Sequence, residues 1–550
     1  MILLSTTSLS DASMSKTITV SKTSRLLPLL IPLAALLLYF PFIHNPLVFD
    51  DQYFFMAGNP AHYVELGLQF KPRWLSYFSH GLTFVWLGDA IFWQRAGNLV
   101  VHAMSGLALY KFLSCLLRDL GPPRLDQESI RRSAVFAAII FVLHPAAVFA
   151  AGYLIQRTTL LATFFCLCSW TLFWAGLKGN RIALWASLPA FALAAWSKEH
   201  CVMAPALNVC LLIVHMRSAL KPRPQWGSIL IILGGQFLLS LLLVAFAARL
   251  IGTPYELGAS TLIDQAVGDA SAANAHLLSV ITQLGLFFKY LALWALPDGS
   301  RMSIDMREHF ATSATSWHAL LALLAFFSWG AIGLIALLKG RTWSLIGIGL
   351  LAPWIMFGTE IAALRIQEIF VLYRSYLWMG PLTLWLALLL AALRETTAVI
   401  LASVIALALA AFSANKLVSM SHPMLLWDEA AMLVEKQSSL PIGSDRIYFN
   451  RARAYERGDF ISNAIEDYNR AISLNPLNYQ YLEARAHANV LMEQYPAARA
   501  DIESAIILAP GIAVLHAQRG DILAALGDQA QAIASHEVAC TLGKETSCKK

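Results

Sequence analysis

The run Leu26-Leu27-Pro28-Leu29-Leu30-Ile31-Pro32-Leu33-Ala34-Ala35-Leu36-Leu37-Leu38-Tyr39-Phe40-Pro41-Phe42-Ile43 leads directly into His44-Asn45-Pro46-Leu47-Val48-Phe49-Asp50-Asp51. An uncharged stretch of this length suits a bilayer span. The two adjacent carboxylates fall where such a helix leaves the hydrocarbon. Ionised carboxylates avoid lipid unless they are paired or functional, so Asp50 and Asp51 are either a solvated helix-end cap or the acidic half of a site. Residues 1–24 are rich in Ser and Thr, and Lys16, Lys22 and Arg25 precede the run, as in a signal-peptide leader. The run is long, however, and lacks a small-residue cleavage site, so it reads as a retained first span.

Outward from this stretch, composition sets the class. Of 550 residues, 58% are hydrophobic and only 13% are charged, and the mean hydropathy is +0.59. A water-soluble chain does not carry that balance. Further runs of spanning length fall at 91–113, 133–151, 158–177, 182–197, 201–216, 226–248, 317–338, 342–358, 375–393 and 396–415, which with the first predict eleven spans. The net charge of +6 is spread over short loops and not gathered into a patch, which excludes nucleic acid as a partner. With the N-terminus inside, the inner loops receive Arg118, Arg124, Arg131, Arg132, Lys178, Arg181, Arg217, Lys221, Arg223, Lys339, Arg341 and Arg394, the bias expected of cytoplasmic loops. Asp50 and Asp51 are then outside. Leu277–Leu296 is apolar enough to span but would invert every later loop, so it is expected to lie in the interface or re-enter, within one outer loop from about 250 to 316. Cys115, Cys166, Cys168, Cys201 and Cys210 sit in apolar runs as small hydrophobes, and no zinc-like Cys/His spacing occurs.

After residue 420 the chain becomes charged, Ala-rich and helix-periodic. Pro476 and Pro510 are 34 residues apart, with Ala464, Tyr468, Ala471 and Ala498, Ile502, Ala505 at matching places before them. Two small residues flanking a larger one let antiparallel helices approach, the tetratricopeptide (TPR) pattern. A third unit runs through Arg519-Gly520 and Ala532-Ile533 to Ala539. The chain is therefore predicted to be all-α. Its parts are a cytoplasmic tail (1–24), a polytopic helical membrane domain (25–420) and a short solenoid of about three TPR hairpins (421–550) on the outer face. Such an array offers a concave surface to a protein partner. Cys540 and Cys548 form a disulfide on an oxidising face or stay free in a reducing one.

Three cations break the positive-inside pattern: Arg157 after Gln156, Lys198 in Ser197-Lys198-Glu199-His200, and Arg374 in Leu372-Tyr373-Arg374-Ser375-Tyr376-Leu377. Cations at that depth need an anion. The protein offers Glu199, Glu368, Asp50 and Asp51 for an internal ion-pair network; a lipid-borne phosphate would serve equally. A carboxylate base beside a cationic phosphate clamp is what sugar transfer from a polyprenyl-phosphate carrier requires. No strand–Gly-rich–helix motif for a nucleotide is present. His144 reads as a turn-stabilising hydrogen bonder sooner than a catalyst. Lys289, Arg301 and Asp305 either line the site or anchor an interfacial helix.

The motifs Phe49-Asp50-Asp51, Leu143-His144-Pro145 to Tyr153-Leu154-Ile155-Gln156-Arg157, Ser197-Lys198-Glu199, Leu296-Pro297 to Ser303-Ile304-Asp305, and Leu372-Tyr373-Arg374-Ser375-Tyr376-Leu377 are similar in order to those of GT-C fold glycosyltransferases fused to TPRs. The chain resembles the transmembrane-and-TPR O-mannosyltransferases, and more closely their bacterial counterparts. The resemblance implies Asp50 and Asp51 as the catalytic pair; the misplaced cations Arg157, Lys198 and Arg374 are expected on the donor phosphate, with His144, Gln156, Glu199 and Tyr373 in support. It also implies a polyprenyl-phosphate-linked sugar as donor and exported proteins as acceptors. No metal cluster is evident in the sequence, although Asp50 and Asp51 could hold a divalent ion if the donor is a diphosphate, and the basic loops are expected to set site and repeats toward the periplasm of a bacterial inner membrane. Ala147 and Phe149 stand where the ER members carry His and Glu, and Tyr373 where they carry Glu. A glycolipid or surface polysaccharide acceptor is the nearest alternative, and a non-catalytic TPR assembly factor the next.

Overall fold

The computed structural model describes residues 26–57, 59–218, 225–246, 272–366 and 368–549. Lys16, Lys22, Arg25, Lys221, Arg223 and the first part of the 250–316 loop lie outside them. The described residues are overwhelmingly helical and form no strand, the one ladder-like contact being an isolated bridge between Met306 and Phe370.

Nine helices among the described residues are long and apolar enough to cross a membrane, or ten if a bent pair is one span. The differences from eleven have local causes. The first apolar helix, α1 (Leu27–Phe42), is short, with prolines opening both of its 3-10 ends. After α2 (Trp74–Leu87), α3 (Ile91–Leu120) runs a further two turns past the apolar stretch. Span 133–151 is broken into α4 (Gln127–Val142) and α5 (Pro145–Ala151), bent by 65°. Pro145 at the first helical position has no N–H to give, and the His144 imidazole caps the new helix by accepting from the Ala146 N–H at 3.2 Å. Then come α6 (Arg157–Leu177), α7 (Arg181–Ser197, with Pro189 inside), α8 (Ala204–Arg217) and α9 (Trp226–Phe246). The 17 residues of α7 fall just short of spanning length.

The segment expected to lie in the interface or re-enter is one unbroken helix, α10 (Ala272–Ala295). Lys289 does not interrupt it, because Glu308 meets its amine and the Phe370 ring lies 5.3 Å away. The chain then doubles back, so that the Ala311 N–H reaches Thr282 Oγ1 at 2.9 Å. Further helices follow. These are α11 (Trp317–Lys339), α12 (Thr342–Met356), α13 (Leu372–Met379), continued by Thr383–Ala392, and α14 (Glu395–Ser419).

Contacts across the bundle define its two ends. One end pairs Lys178 with Asp119 at 2.7 Å, Arg132 with Glu395 at 3.1 Å, and Arg217 with the Leu338 carbonyl at 2.9 Å. The other carries Asp50, Asp51, Lys198 and Arg374 together with the chain's C-terminal helices. Between the ends, small residues set the helix spacing. A Cβ on Gly347 would come within 2.6 Å of Leu337 Cα and 2.8 Å of the Gly333 carbonyl, so α11 and α12 touch backbone to backbone. Gly347→Ala is expected to force them apart at a cost of about 1–3 kcal/mol, read as a lower melting temperature of the purified protein.

The C-terminal helices are α15 (Pro423–Glu435), α16 (Asp445–Arg457), α17 (Ile461–Leu474), α18 (Tyr479–Leu491), α19 (Tyr495–Leu508), α20 (Ala513–Ala525) and α21 (Gln529–Thr541). From α16 onward they pair into three hairpins. Ala464, Tyr468, Ala471, Ala498, Ile502 and Ala505 are all fully buried. The hairpins repeat a polar link as well: Arg451 Nε to Asp467 at 2.6 Å, Arg485 Nε to Asp501 at 2.9 Å, and Arg519 to the Ser535 hydroxyl at 3.2 Å. Cys540 and Cys548 are disulfide-bonded. Packing does not break at residue 420, since Leu426, Trp427, Ala430, Ala431, Val434 and Ile447 belong to the same core as the bundle.

Candidate functional site

The two aspartates separate because Phe49 takes a positive φ of 49°, a conformation that bulky side chains adopt only when their surroundings impose it. Its ring is wedged edge-on against Trp427 at 5.5 Å and lies under the Arg446 guanidinium at 5.0 Å. The turn sends consecutive carboxylates in opposite directions. Asp51 is fully buried and accepts the Leu154 and Ile155 N–H groups at 3.1 and 2.9 Å. It thereby ties the first span to the start of α6. Arg95 braces the same turn through the Asn45, Gly152 and Pro46 carbonyls at 2.9, 2.7 and 2.6 Å. Burial pushes the Asp51 carboxyl up to about 7, against the pull of those amides and of Arg95.

Asp50 is exposed, and the mouth it opens into is bordered by Tyr153, Glu368 and Arg446. Its N–H donates to the Tyr153 hydroxyl at 3.1 Å, which also hydrogen-bonds its carboxylate. Partial enclosure raises the Asp50 carboxyl above the ordinary value, the charge of Glu368 adds to this, and Tyr153 and Arg446 act against it. One carboxylate is exposed and the other is locked into the frame, so the pair divides into an accessible member and an anchor.

Lys198 faces the same region. Its amine donates to Gln156 Oε1 at 2.9 Å and Thr159 Oγ1 at 2.7 Å and sits over the Tyr373 ring at 4.9 Å. Among the described residues it meets no carboxylate within ion-pair distance. Burial lowers its pKa to about 7, with the charge of Arg73 adding to the effect. Tyr373 lies against Tyr153 at 6.1 Å and donates to Glu368 Oε2 at 3.2 Å, so Asp50, Tyr153, Tyr373 and Lys198 form one contiguous wall.

The other residues expected there have different work. Arg374 is held by Glu360 at 3.1 Å and by Glu368 at 2.8 Å, which is the internal ion-pair network in place of an open clamp. Arg157 turns to α2 and α3, donating to Asn98 at 2.8 Å, the Gln94 carbonyl at 2.7 Å and Thr83 at 3.2 Å. Its donors are therefore spent on neutral oxygens. Glu199 is gripped by Arg73, whose Nε lies 2.9 and 3.2 Å from its two oxygens. His144 is a structural hinge, since its Nε2–H donates to the Trp294 carbonyl at 3.1 Å and the two rings stack at 4.2 Å.

At this end Glu360, Arg365 and Arg73 were not singled out from the sequence, whereas Asp305 was expected either to line the site or to anchor an interfacial helix. Glu360 is fully buried among Arg374, Arg365 at 3.3 Å and His200 at 3.3 Å. Asp305 joins Arg307 at 2.9 Å to Arg446 of α16 at 2.9 Å, and those two guanidiniums hold its carboxyl below the usual range in spite of its burial. Arg73 gave no signal, because an arginine in a connecting segment looks solvated. Glu360 and Arg365 pair in space only after the segment between α12 and α13 has folded. Among the described residues no group of three His, Cys, Asp or Glu is arranged to hold a metal ion. An apolar cavity of about 330 Å³, lined by Phe141, His144, Trp294, Trp329, Trp385 and Leu409 among others, adjoins this end. Trp294 connects it to Ser375, beside Arg374, by a 2.8 Å hydrogen bond.

No family model matches the chain, and no curated protein does. Solved structures similar to it are TPR-repeat proteins. The second TPR of Spaghetti (RPAP3) bound to an HSP90 peptide is 25% identical over 18% of this chain and 92% of that one, with a TM-score of 0.18. The crystal structure of MamA is 18% identical over 24% and 72%, with a TM-score of 0.21. The chain's own helices combine apolar stretches of membrane-spanning length with a TPR-like helical region.

Proposed function

We propose that the protein is a polyprenyl-phosphate-sugar-dependent glycosyltransferase of GT-C type, which moves a sugar onto Ser/Thr hydroxyls of exported proteins with inversion. The observation that carries this reading is the division of the acidic pair: Asp51 is consumed by backbone amides while Asp50 is exposed beside Tyr153, which leads through Tyr373 to Lys198. In the proposed step Asp50 takes the proton of the acceptor hydroxyl as its oxygen bonds to the anomeric carbon. The bond from that carbon to the phosphate oxygen breaks, and its electron pair leaves on the phosphate, whose charge Lys198 stabilises. Arg374 and Arg157 act indirectly, the first by fixing Tyr373 and Glu368, the second by fixing the start of α6. The apolar cavity beside Trp294 suits an isoprenoid chain. The basic end of the bundle would face the cytosol and the site and repeats the periplasm of a bacterial inner membrane. The Cys540–Cys548 bond agrees with an oxidising side.

Intact-mass and glycopeptide analysis of exported proteins should show hexose-sized increments on Ser/Thr in wild-type cells, and none in cells lacking the gene or carrying Asp50→Asn. Increments surviving in both altered strains would remove the protein-acceptor reading. If the change appears in lipid-linked glycans instead, the acceptor is a glycolipid. Asp50→Asn restoring every defect of the deletion would favour a non-catalytic assembly role.

A further inference from the structure

The helices that follow the bundle do more than begin a binding platform, because three of their side chains close on the acidic turn. Trp427 of α15 meets the Phe49 ring edge-on at 5.5 Å. The Arg446 guanidinium of α16 lies over the same ring at 5.0 Å, and Arg457, at the far end of α16, donates to Gln52 Oε1 at 3.0 Å. Phe49 is the residue whose positive φ of 49° parts the two aspartates. A cation over an aromatic face is attracted by the ring as well as packed against it, so Arg446 helps to hold Phe49 in that conformation.

Arg446 is itself fixed from the bundle side. Its Nε lies 2.9 Å from Asp305 Oδ2, and its Nη2 lies 3.9 Å from Glu368. Each of these carboxylates has a further arginine: Asp305 meets the buried Arg307 at 2.9 Å, and Glu368 meets Arg374 at 2.8 Å. Arg307 packs under the loop that enters α16. Its carbonyl accepts from Gln437 at 3.0 Å, and a Cβ on Gly443, at φ 81°, would strike its guanidinium. The result is a row of alternating charges, Arg374–Glu368–Arg446–Asp305–Arg307, to which the repeat helices contribute Arg446. Because both carboxylates keep a second arginine, replacing Arg446 strands neither of them.

This row reaches Asp50. Partial enclosure is the largest influence raising the Asp50 carboxyl; Glu368 and Asp305 add to it, while Tyr153 and Arg446 act against it. Asp51 is the remaining charged neighbour, and it is turned into the frame. Arg446 is the cation of that set.

We propose that Arg446 is a positioning residue for Asp50, holding the Phe49 ring and supplying the positive charge that faces the exposed carboxylate, so that the repeat helices complete the reaction centre. The role in sugar transfer rests on the transferase reading above.

The test follows protonated carboxyl groups by infrared difference spectroscopy as the full-length protein, in nanodiscs of zwitterionic lipid, is titrated with acid. The band missing from Asp50→Asn reports Asp50, and each variant is titrated well below its melting temperature. In Arg446→Gln the midpoint of that band should move to higher pH by about half a unit or more, since a cation is lost and two anions remain. Arg446→Lys keeps a charge over the ring and should recover most of the shift. The acid limb of kcat/KM should move with the band, for about a threefold loss below the limb in Arg446→Gln. An unmoved band in Arg446→Gln overturns the assignment. So does a band displaced as far in Arg446→Lys as in Arg446→Gln, which would make the contact one of shape alone. A band that moves above an unmoved acid limb, or in a protein that transfers no sugar, upholds the hold of Arg446 on Asp50 and removes the transferase reading instead.

Discussion

Asp50→Asn is expected to lower the transfer rate by about 10²–10⁴-fold, the usual contribution of a positioned general base, and to leave the melting temperature unchanged. Asp51→Asn should do the reverse. An Asn amide in place of one Asp51 oxygen would point a donor at a backbone N–H that has no other partner, at a cost of about 1–3 kcal/mol. The protein would melt earlier, and activity would fall only as far as the turn loosens. The pH profile carries a second signature. Asp50 must be ionised to act, and its pKa is raised by enclosure and by Glu368, so the rate should climb with pH along a limb displaced above the ordinary carboxylate range. Lys198 must be protonated to stabilise the leaving phosphate. Burial has brought it down to about 7, so kcat/KM of the wild type should decline as pH rises through that value. Lys198→Arg should abolish this alkaline decline, because guanidinium does not deprotonate there. A wild-type profile flat from acid to alkaline pH would count against both assignments.

The aspartate turn also shows what a sequence can and cannot disclose. The motif Phe49-Asp50-Asp51 could be found because two carboxylates beside an apolar run have few bland explanations. Which of the two faces the mouth depends on one positive φ at Phe49, and no residue type announces it. The same contrast runs through the fold. Apolar runs and the spacing of Pro476 and Pro510 carry their meaning locally, and helices follow at those places. The interruption at His144-Pro145 was visible as residues but not as a 65° bend, since the apolar pattern continues across it. Lys289 argued against an unbroken helix until its partner Glu308, beyond a reversal of the chain, could be seen. Cations were conspicuous because they were misplaced, and Glu368, which meets Arg374 at 2.8 Å, stood among the anions offered to them, but Glu360 did not. Arg374 advertised a need for an anion, but Glu360, which supplies it, lies in an unremarkable Thr359-Glu360 at the end of a span. Charge at depth is legible one residue at a time. Pairing is a property of the closed loops.

Glu360 is the point at which the paired cations can be tested hardest. It is fully buried and answers Arg374 at 3.1 Å, Arg365 at 3.3 Å and His200 at 3.3 Å. Glu360→Gln keeps the shape and removes the charge, which leaves Arg374 with Glu368 and takes from Arg365 the carboxylate it meets at 3.3 Å. Breaking a buried ion pair from one side costs about 3–5 kcal/mol, because the stranded charge has lost its solvation without compensation. The expected result is the largest drop in melting temperature of any single conservative change proposed for this chain. Removing the stranded charge as well should recover part of the loss, so Glu360→Leu with Arg365→Leu is expected to be more stable than Glu360→Leu alone. A double-mutant cycle on these two positions reads that coupling directly. Activity should track the folded fraction, since Glu360 reaches the mouth only through Arg374 and the Tyr373–Glu368 contact that Arg374 fixes. Glu360→Gln protein that melts with the wild type would mean that the arginines find other anions. The wall holding Lys198 over Tyr373 would then not depend on this network for its position.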